Sequence, residues 1–299
     1  MMKYPIILSP IAKNRVWGGD RLSALGAEPP IGEHWVLSVR EDDNNTISNG
    51  EFAGKSLDRV LKEHPEFLGT ECAKEKFPLL IRFIDSKESL SIQVHPDDIS
   101  AAELGEECGK TEMWYIIDTE PDSYIYFGIK DEYSDNEVKD AILSGADPTP
   151  YLNKVPVRAG DCYFIAGGTP HAIGGGNYIC EIQQNCDTTY RIYDYGRPRE
   201  LHLKQAAVSV KKNSIGYTNS ESVLAKCEYF TSELIAIKGE MLIEATPERF
   251  ISLTVVGGAG TIVAVDAEYH LKERDSVFIP AGEEKYLIRG NAAIIKTTV

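Results

Sequence analysis

Short alternating runs of apolar and polar residues, cut every few positions by Gly, Pro or Asp, confine this chain to a β-rich architecture. HWVLSVR (34–40), PLLIRFIDS (78–86), LSIQVH (90–95) and EMWYIID (112–118) each read as a strand. YIYFGI (124–129), CYFIAG (162–167), YICEIQQN (178–185) and TYRIYDY (189–195) continue the series. Many short strands at close spacing argue for a sandwich or barrel rather than βαβ units. Helical signals are fewer. Ser56 caps a stripe of Leu57, Val60 and Leu61, Asp97–Glu107 can form a short helix, and Ser134 opens SDNEVKDAILSG with Gly145 as its stop. Residues 130–156 are therefore expected to be a helical insertion, and LHLKQAAVSVKK (201–212) a further helix. The polar segment 211–223 reads as a linker, beyond which strand patterns resume. The expected organisation is a first domain over 1–215 and a second over 216–299.

A weak internal repeat supports two related units. GDCYFIAGGTPHAI (160–173) resembles RDSVFIPAGEEKYLI (274–288), each running from a polar turn through an apolar strand into a small-residue turn. Aligning Gly160 with Arg274 sets His171 against Lys285. The first copy then offers a metal ligand where the second does not.

Charge narrows the class of partner. The net charge is −15, from 31 basic and 46 acidic residues, which disfavours nucleic acid and anionic membranes. A phosphorylated substrate would need a local basic pocket. Six cysteines without a CxxC pair read as reduced thiols, and neither a signal peptide nor an apolar stretch of about 18 residues is evident, so a cytoplasmic location is expected.

Gln93 and His95 stand two apart on a strand and so share a face. Glu112 begins the next strand and His171 follows a Gly-Gly-Thr-Pro turn. Two imidazoles, a carboxylate and an amide oxygen make a plausible set for one divalent ion. Zinc accepts the nitrogens and carboxylate readily, while the amide oxygen tilts slightly towards manganese. Read singly, a Gln-x-His pair is an ordinary polar surface pair and Glu112 a solvated carboxylate.

SIQVHPDD, KTEMWY, GTPHAIGGG and TTYRIYDYGRPRELH, in that order, resemble the type I mannose-6-phosphate isomerase family of the cupin superfamily. IGEHWVLS (31–38) and VWGGDRL (16–22) extend the similarity, which covers residues 15–205, with 225–299 fitting loosely as the family's second barrel. The length resembles the short bacterial form. Ala166 departs from the pattern, since cupins often carry proline there.

The resemblance implies a mainly β fold of two cupin (jelly-roll β-barrel) domains with a small helical insertion. It implies one Zn2+ per chain on Gln93, His95, Glu112 and His171. It further implies interconversion of mannose 6-phosphate and fructose 6-phosphate through a cis-enediol. Arg191 and Lys110 take catalytic positions, and Ser91, Lys110, Arg82 and Asp187 substrate-binding ones. The base is expected to be Glu181, with Asp187 or a metal-bound water as rivals. Arg197 and Arg199 are weaker candidates, and Arg191 could instead pair with Asp187 or Asp194. A non-catalytic sugar-binding cupin and a metal-dependent oxygenase are the competing readings; Gln93 fits the His-rich iron set of the latter poorly. Monomer and homodimer remain open.

Overall fold

The computed structural model describes residues 3–23, 28, 30–72, 76–213, 216–219, 222–265 and 267–299. The chain divides into two compact units. One joins Met1–Ile11, His34–Phe83 and Ser220–Val299; the other joins Ala12–Glu33 and Ile84–Asn219. This differs from a contiguous first domain ending at 215. The reason is strand pairing: Ile6–Ser9 lies antiparallel to Ser276–Ile279, with Ile6 opposite Phe278, and Thr46–Ile47 pairs with Ile6–Ser9 in turn. The N-terminal strand thus completes the C-terminal sheet.

In the first unit, the long strands Thr231–Glu244, Lys285–Thr298 and Ile251–Val263 are neighbours in one sheet. Their alternating apolar residues supply a core that includes Ile237, Leu253, Ile262 and Ile288, joined by Val277 of Ser276–Ile279.

The second unit pairs two sheets. One runs Gly216–Asn219, Asp161–Ile165, Glu112–Thr119, Asn177–Gln184, then the strands through which the chain passes between units. The other runs Tyr190–Tyr193, Ile92–Val94, His171–Ile173, Tyr124–Ile129, Leu152–Pro156. Trp114, Ile116, Tyr163 and Ile179 from the first pack against Ile125, Phe127 and Ile173 from the second. The outer face of the second sheet is apolar as well: Ile92 and Val94 pack with Val138, Ile142, Ala206 and Ala207 of the flanking helices.

The helices follow the capping signals. Ser56 and Asp97 each accept an N–H three residues on, opening Leu57–Glu63 and Asp98–Leu104. Ser134 and Glu137 form a reciprocal capping box for Asp135–Leu143, and Leu203–Ser209 is also helical. The insertion is shorter than the expected 130–156. Leu152–Pro156 is a strand, with Val155 opposite Ile125, because Leu152, Asn153, Lys154 and Val155 alternate inward and outward. The expected linker contains the strand Gly216–Asn219 on Asp161–Ile165; its residues 214, 215, 220 and 221 lie outside those described.

The repeat is a shared turn. Gly160 and Arg274 both have positive φ, +93° and +77°. In each copy the following aspartate accepts the N–H of the residue three before it: Asp161 from Arg158, Asp275 from Lys272, both at 2.8 Å. A Cβ on Gly160 would meet nothing within 4 Å, so only backbone strain opposes a side chain there. Gly160→Ala should therefore cost about 1 kcal/mol, read by urea denaturation. An unchanged midpoint would contradict the left-handed turn.

Candidate metal centre

The centre forms where the two sheets of the second unit face each other. Arg191, Gln93 and His171 are directly opposed across three adjacent strands, so their side chains share the inner face. Glu112 enters from the opposite sheet, paired with Ile165 and Gln183. Alternation makes this possible. Ile92 and Val94 bury themselves outward, which turns Ser91, Gln93 and His95 inward. Gly167 matters for closeness: a Cβ there would lie 2.7 Å from Asp97 Cα, so the His171 turn packs against the chain just beyond His95.

Glu112, His95 and His171 are buried, and one donor atom from each falls within 4.8 Å of the others. His95 Nε2 lies 3.3 Å from Glu112 Oε2, and His171 Nε2 lies 3.5 Å from Oε1. Each imidazole gives its other nitrogen to a backbone carbonyl: His95 Nδ1 to Thr188 at 2.9 Å, His171 Nδ1 to Thr169 at 2.8 Å. A carbonyl can only accept, so both Nδ1 atoms carry the proton and both Nε2 lone pairs point at the carboxylate. This is the arrangement that metal-binding imidazoles adopt. Gln93 Nε2 is 3.3 Å from His171 Nε2 and its Oε1 is 3.4 Å from Ser91 Oγ. The two amide ends are interchangeable in shape, and the flipped amide presents its oxygen to the cluster.

Neither oxygen of the buried Glu112 carboxylate accepts a hydrogen bond of good geometry. Such a group is costly to bury unless a cation satisfies it. Lys110, itself buried, brings Nζ within 3.2 Å of both Glu112 Oε2 and His95 Nε2. Burial alone would raise the Glu112 pKa; the charge of Lys110 foremost holds it well below the usual carboxylate range. Burial first, then Lys110, pushes His95 down to about 3, and burial lowers His171. A neutral His-His pair facing an ionised carboxylate and an amide oxygen therefore suits a divalent ion. Among the described residues, this is the group of three or more His, Cys, Asp or Glu side chains placed to hold one. In the other unit, Lys285 is exposed where His171 has its counterpart and pairs with Glu244 at 2.5 Å.

The remaining expected residues are placed unequally. Ser91 and Lys110 join the cluster. Arg191 is half-buried, donates from Nη1 to the Glu200 carbonyl at 2.7 Å, and leaves a buried Nε without a hydrogen-bond partner. Burial first and the Arg199 charge second lower its pKa. Asp194 does not hold Arg191: it takes both Arg199 nitrogens at 2.6 Å and Arg197 at 2.9 Å. Glu181 is buried one inward position from Gln183 and accepts from Trp114 Nε1 at 2.9 Å, with Trp114 edge-on to His171. Asp187 is exposed, next in the chain to Thr188. Arg82 lies on the strand Leu79–Ser86, within the other compact unit. Trp114 was readable in principle, standing two residues from Glu112 on the same face. The Thr169 and Thr188 carbonyls were not, since any residue supplies one.

Two family models match the chain: phosphomannose isomerase type I, catalytic domain, over residues 7–128, and mannose-6-phosphate isomerase, cupin domain, over residues 220–299. The mannose-6-phosphate isomerase of Streptococcus mutans is 33% identical, with 98% of each chain covered. Mannose-6-phosphate isomerase ManA of Bacillus subtilis is 31% identical over 99% of each. The crystal structure of the mannose 6-phosphate isomerase from Bacillus subtilis covers 100% of both chains at 34% identity with a TM-score of 0.89. The mainly β architecture is accordingly a cupin one, and the chain belongs to the type I mannose-6-phosphate isomerases, a family of enzymes.

Proposed function

We propose that this chain is a zinc-dependent aldose–ketose isomerase that interconverts mannose 6-phosphate and fructose 6-phosphate through a cis-enediol. The observation that carries the reading is the buried Glu112 carboxylate, faced by two Nε2 atoms and satisfied by no hydrogen bond. Gln93, His95, Glu112 and His171 are the residues that would hold one zinc per chain. Bound there, zinc would supply a Lewis acid for the sugar oxygens at carbons 1 and 2.

The chain's own groups supply the rest. Lys110 keeps Glu112 ionised and offers a donor to a sugar hydroxyl. Arg191, with its unpaired Nε, stabilises negative charge developing on the enediol oxygens. The substrate's phosphate needs positive charge in a chain of net −15, and Arg191, Arg197 and Arg199 gather it locally. Ser91, Asp187 and Arg82 are further substrate contacts. Glu181 is the proposed base for moving the proton between carbons 1 and 2, with Asp187 its rival. We place the enzyme in the cytoplasm: all six cysteines are free thiols, and no helix among the described residues is long and apolar enough to cross a membrane.

Chelation should abolish turnover of mannose 6-phosphate in a coupled assay, and zinc should restore it. Bound zinc without turnover would point to a sugar-binding cupin instead. Arg191→Ala should lower kcat about 100- to 1,000-fold while zinc content stays at one per chain. Glu181→Gln should abolish proton exchange at carbon 2 with zinc retained, and undiminished exchange would move that role to Asp187.

Acid sensitivity follows from the imidazoles. His95 falls on folding from 6.5 to about 3, so the unfolded chain takes up a proton that the folded chain refuses. Its contribution to stability is therefore complete above 6.5 and is lost as pH falls towards 3. The metal-free protein should show a Tm that drops as pH falls from about 6.5 towards 3, with His95→Gln flattening the drop. Equal slopes for the two proteins would exclude a neutral buried His95.

A further inference from the structure

We propose that Glu106, outside the ligand set, is a positioning residue for the metal centre that acts through Thr188 on His95. The inference rests on the metal-centre reading above.

Glu106 lies in the loop between the Asp98–Leu104 helix and the Glu112 strand. Its N–H donates to the Ala101 carbonyl at 2.9 Å, so its backbone is tied to the end of that helix. Its two carboxylate oxygens divide their work. Oε2 accepts from Thr188 Oγ1 at 3.0 Å, and Oε1 accepts from the Tyr190 hydroxyl at 2.9 Å. One side chain therefore grips both ends of Thr188–Thr189–Tyr190. A parallel tie sits beside it, where Cys186 Sγ lies 3.0 Å from the Cys108 carbonyl.

The gripped segment is the one that orients His95. The Thr188 carbonyl takes the Nδ1 proton at 2.9 Å, and Thr189 Oγ1 is 3.4 Å from the same nitrogen. That hydrogen bond fixes both the tautomer and the tilt that aim Nε2 at Glu112. His171 needs no such help, because its carbonyl partner, Thr169, is only two residues away in its own turn. His95 reaches across 93 residues of chain for its partner, and Glu106 holds that partner still. Arg191 follows Tyr190 directly, so the same grip sets where its strand begins.

The groups around a metal ligand typically alter affinity about 10- to 100-fold when removed. Glu106→Ala should weaken zinc by that factor, measured by competition with a chromophoric chelator, and should broaden or shift the visible absorption of the Co2+-loaded protein. Thr188→Val removes the gripped hydroxyl but keeps the carbonyl, and should weaken zinc similarly. Tyr190→Phe should do less, and Glu106→Gln should recover part of the loss through its one amide oxygen. Should Glu106→Ala fail to fold, Thr188→Val and Glu106→Gln carry the comparison. Unchanged zinc affinity in folded Glu106→Ala overturns the inference, as does a lowered Tm of the metal-free protein without any change in affinity. An unaltered protein that binds no zinc overturns the metal reading together with it, whereas zinc binding that ignores Glu106 overturns this inference alone.

Discussion

The carboxylate of Glu112 is the constraint on which the catalytic unit depends. A buried anion is costly unless opposite charge and directed donors surround it. Lys110 supplies charge at 3.2 Å, yet neither carboxylate oxygen accepts a well-formed hydrogen bond. The imidazoles cannot make up the difference by protonating, since burial holds both below their ordinary pKa. Lys110 balances the charge, but the carboxylate lone pairs stay unmet, and a cation among the four inward-facing neighbours would meet them. Breaking such a buried pair by removing one partner is far more damaging than losing a surface ion pair.

The polar interior is tolerable because it is confined to one face of strands whose other face is aliphatic. Ile92 and Val94 anchor their strand to Ala206 and Val138 of the flanking helices. One layer further in, Trp114, Ile116 and Phe127 close the space between the sheets. The other unit repeats the turn of Gly160 at Arg274, down to the aspartate that accepts the N–H three residues before it. Its core cluster is largely aliphatic, with Tyr286 among its members, and Lys285 points to solvent and Glu244. The same local turn thus serves an interior with a His–Glu cluster in one unit and one with Lys285 at the matching position in the other.

Period-two alternation is local, so the strands bearing the site were readable from the chain: Glu112–Thr119, Tyr124–Ile129 and Asn177–Gln184 fall within a residue of expectation at most ends. Capping residues likewise announced the helices at Ser56, Asp97 and Ser134. What eluded reading was long-range. No local signal says that Ile6–Ser9 joins a strand at Ser276–Ile279, so a sequence reading runs the first domain on from the N-terminus. The strand Leu152–Pro156 carries no strong local signal and follows a helix opened by Ser134. The ligands were legible through spacing and family resemblance. The partners that fix their tautomers are backbone carbonyls, invisible to any reading of side-chain type.

That distinction divides the centre into a robust half and a dependent half. His171 and its carbonyl partner come from one short turn, held by Gly168 N donating to the His95 carbonyl at 2.7 Å. Local geometry alone keeps that imidazole aimed. His95 depends on a partner from a loop 93 residues away, and loops open more readily than strands. Glu106 holds the hydroxyls of that segment, Thr188 Oγ1 and the Tyr190 OH. A ligand set drawn from three segments is thus no more rigid than its least anchored contact, and that contact is the Thr188 carbonyl on His95.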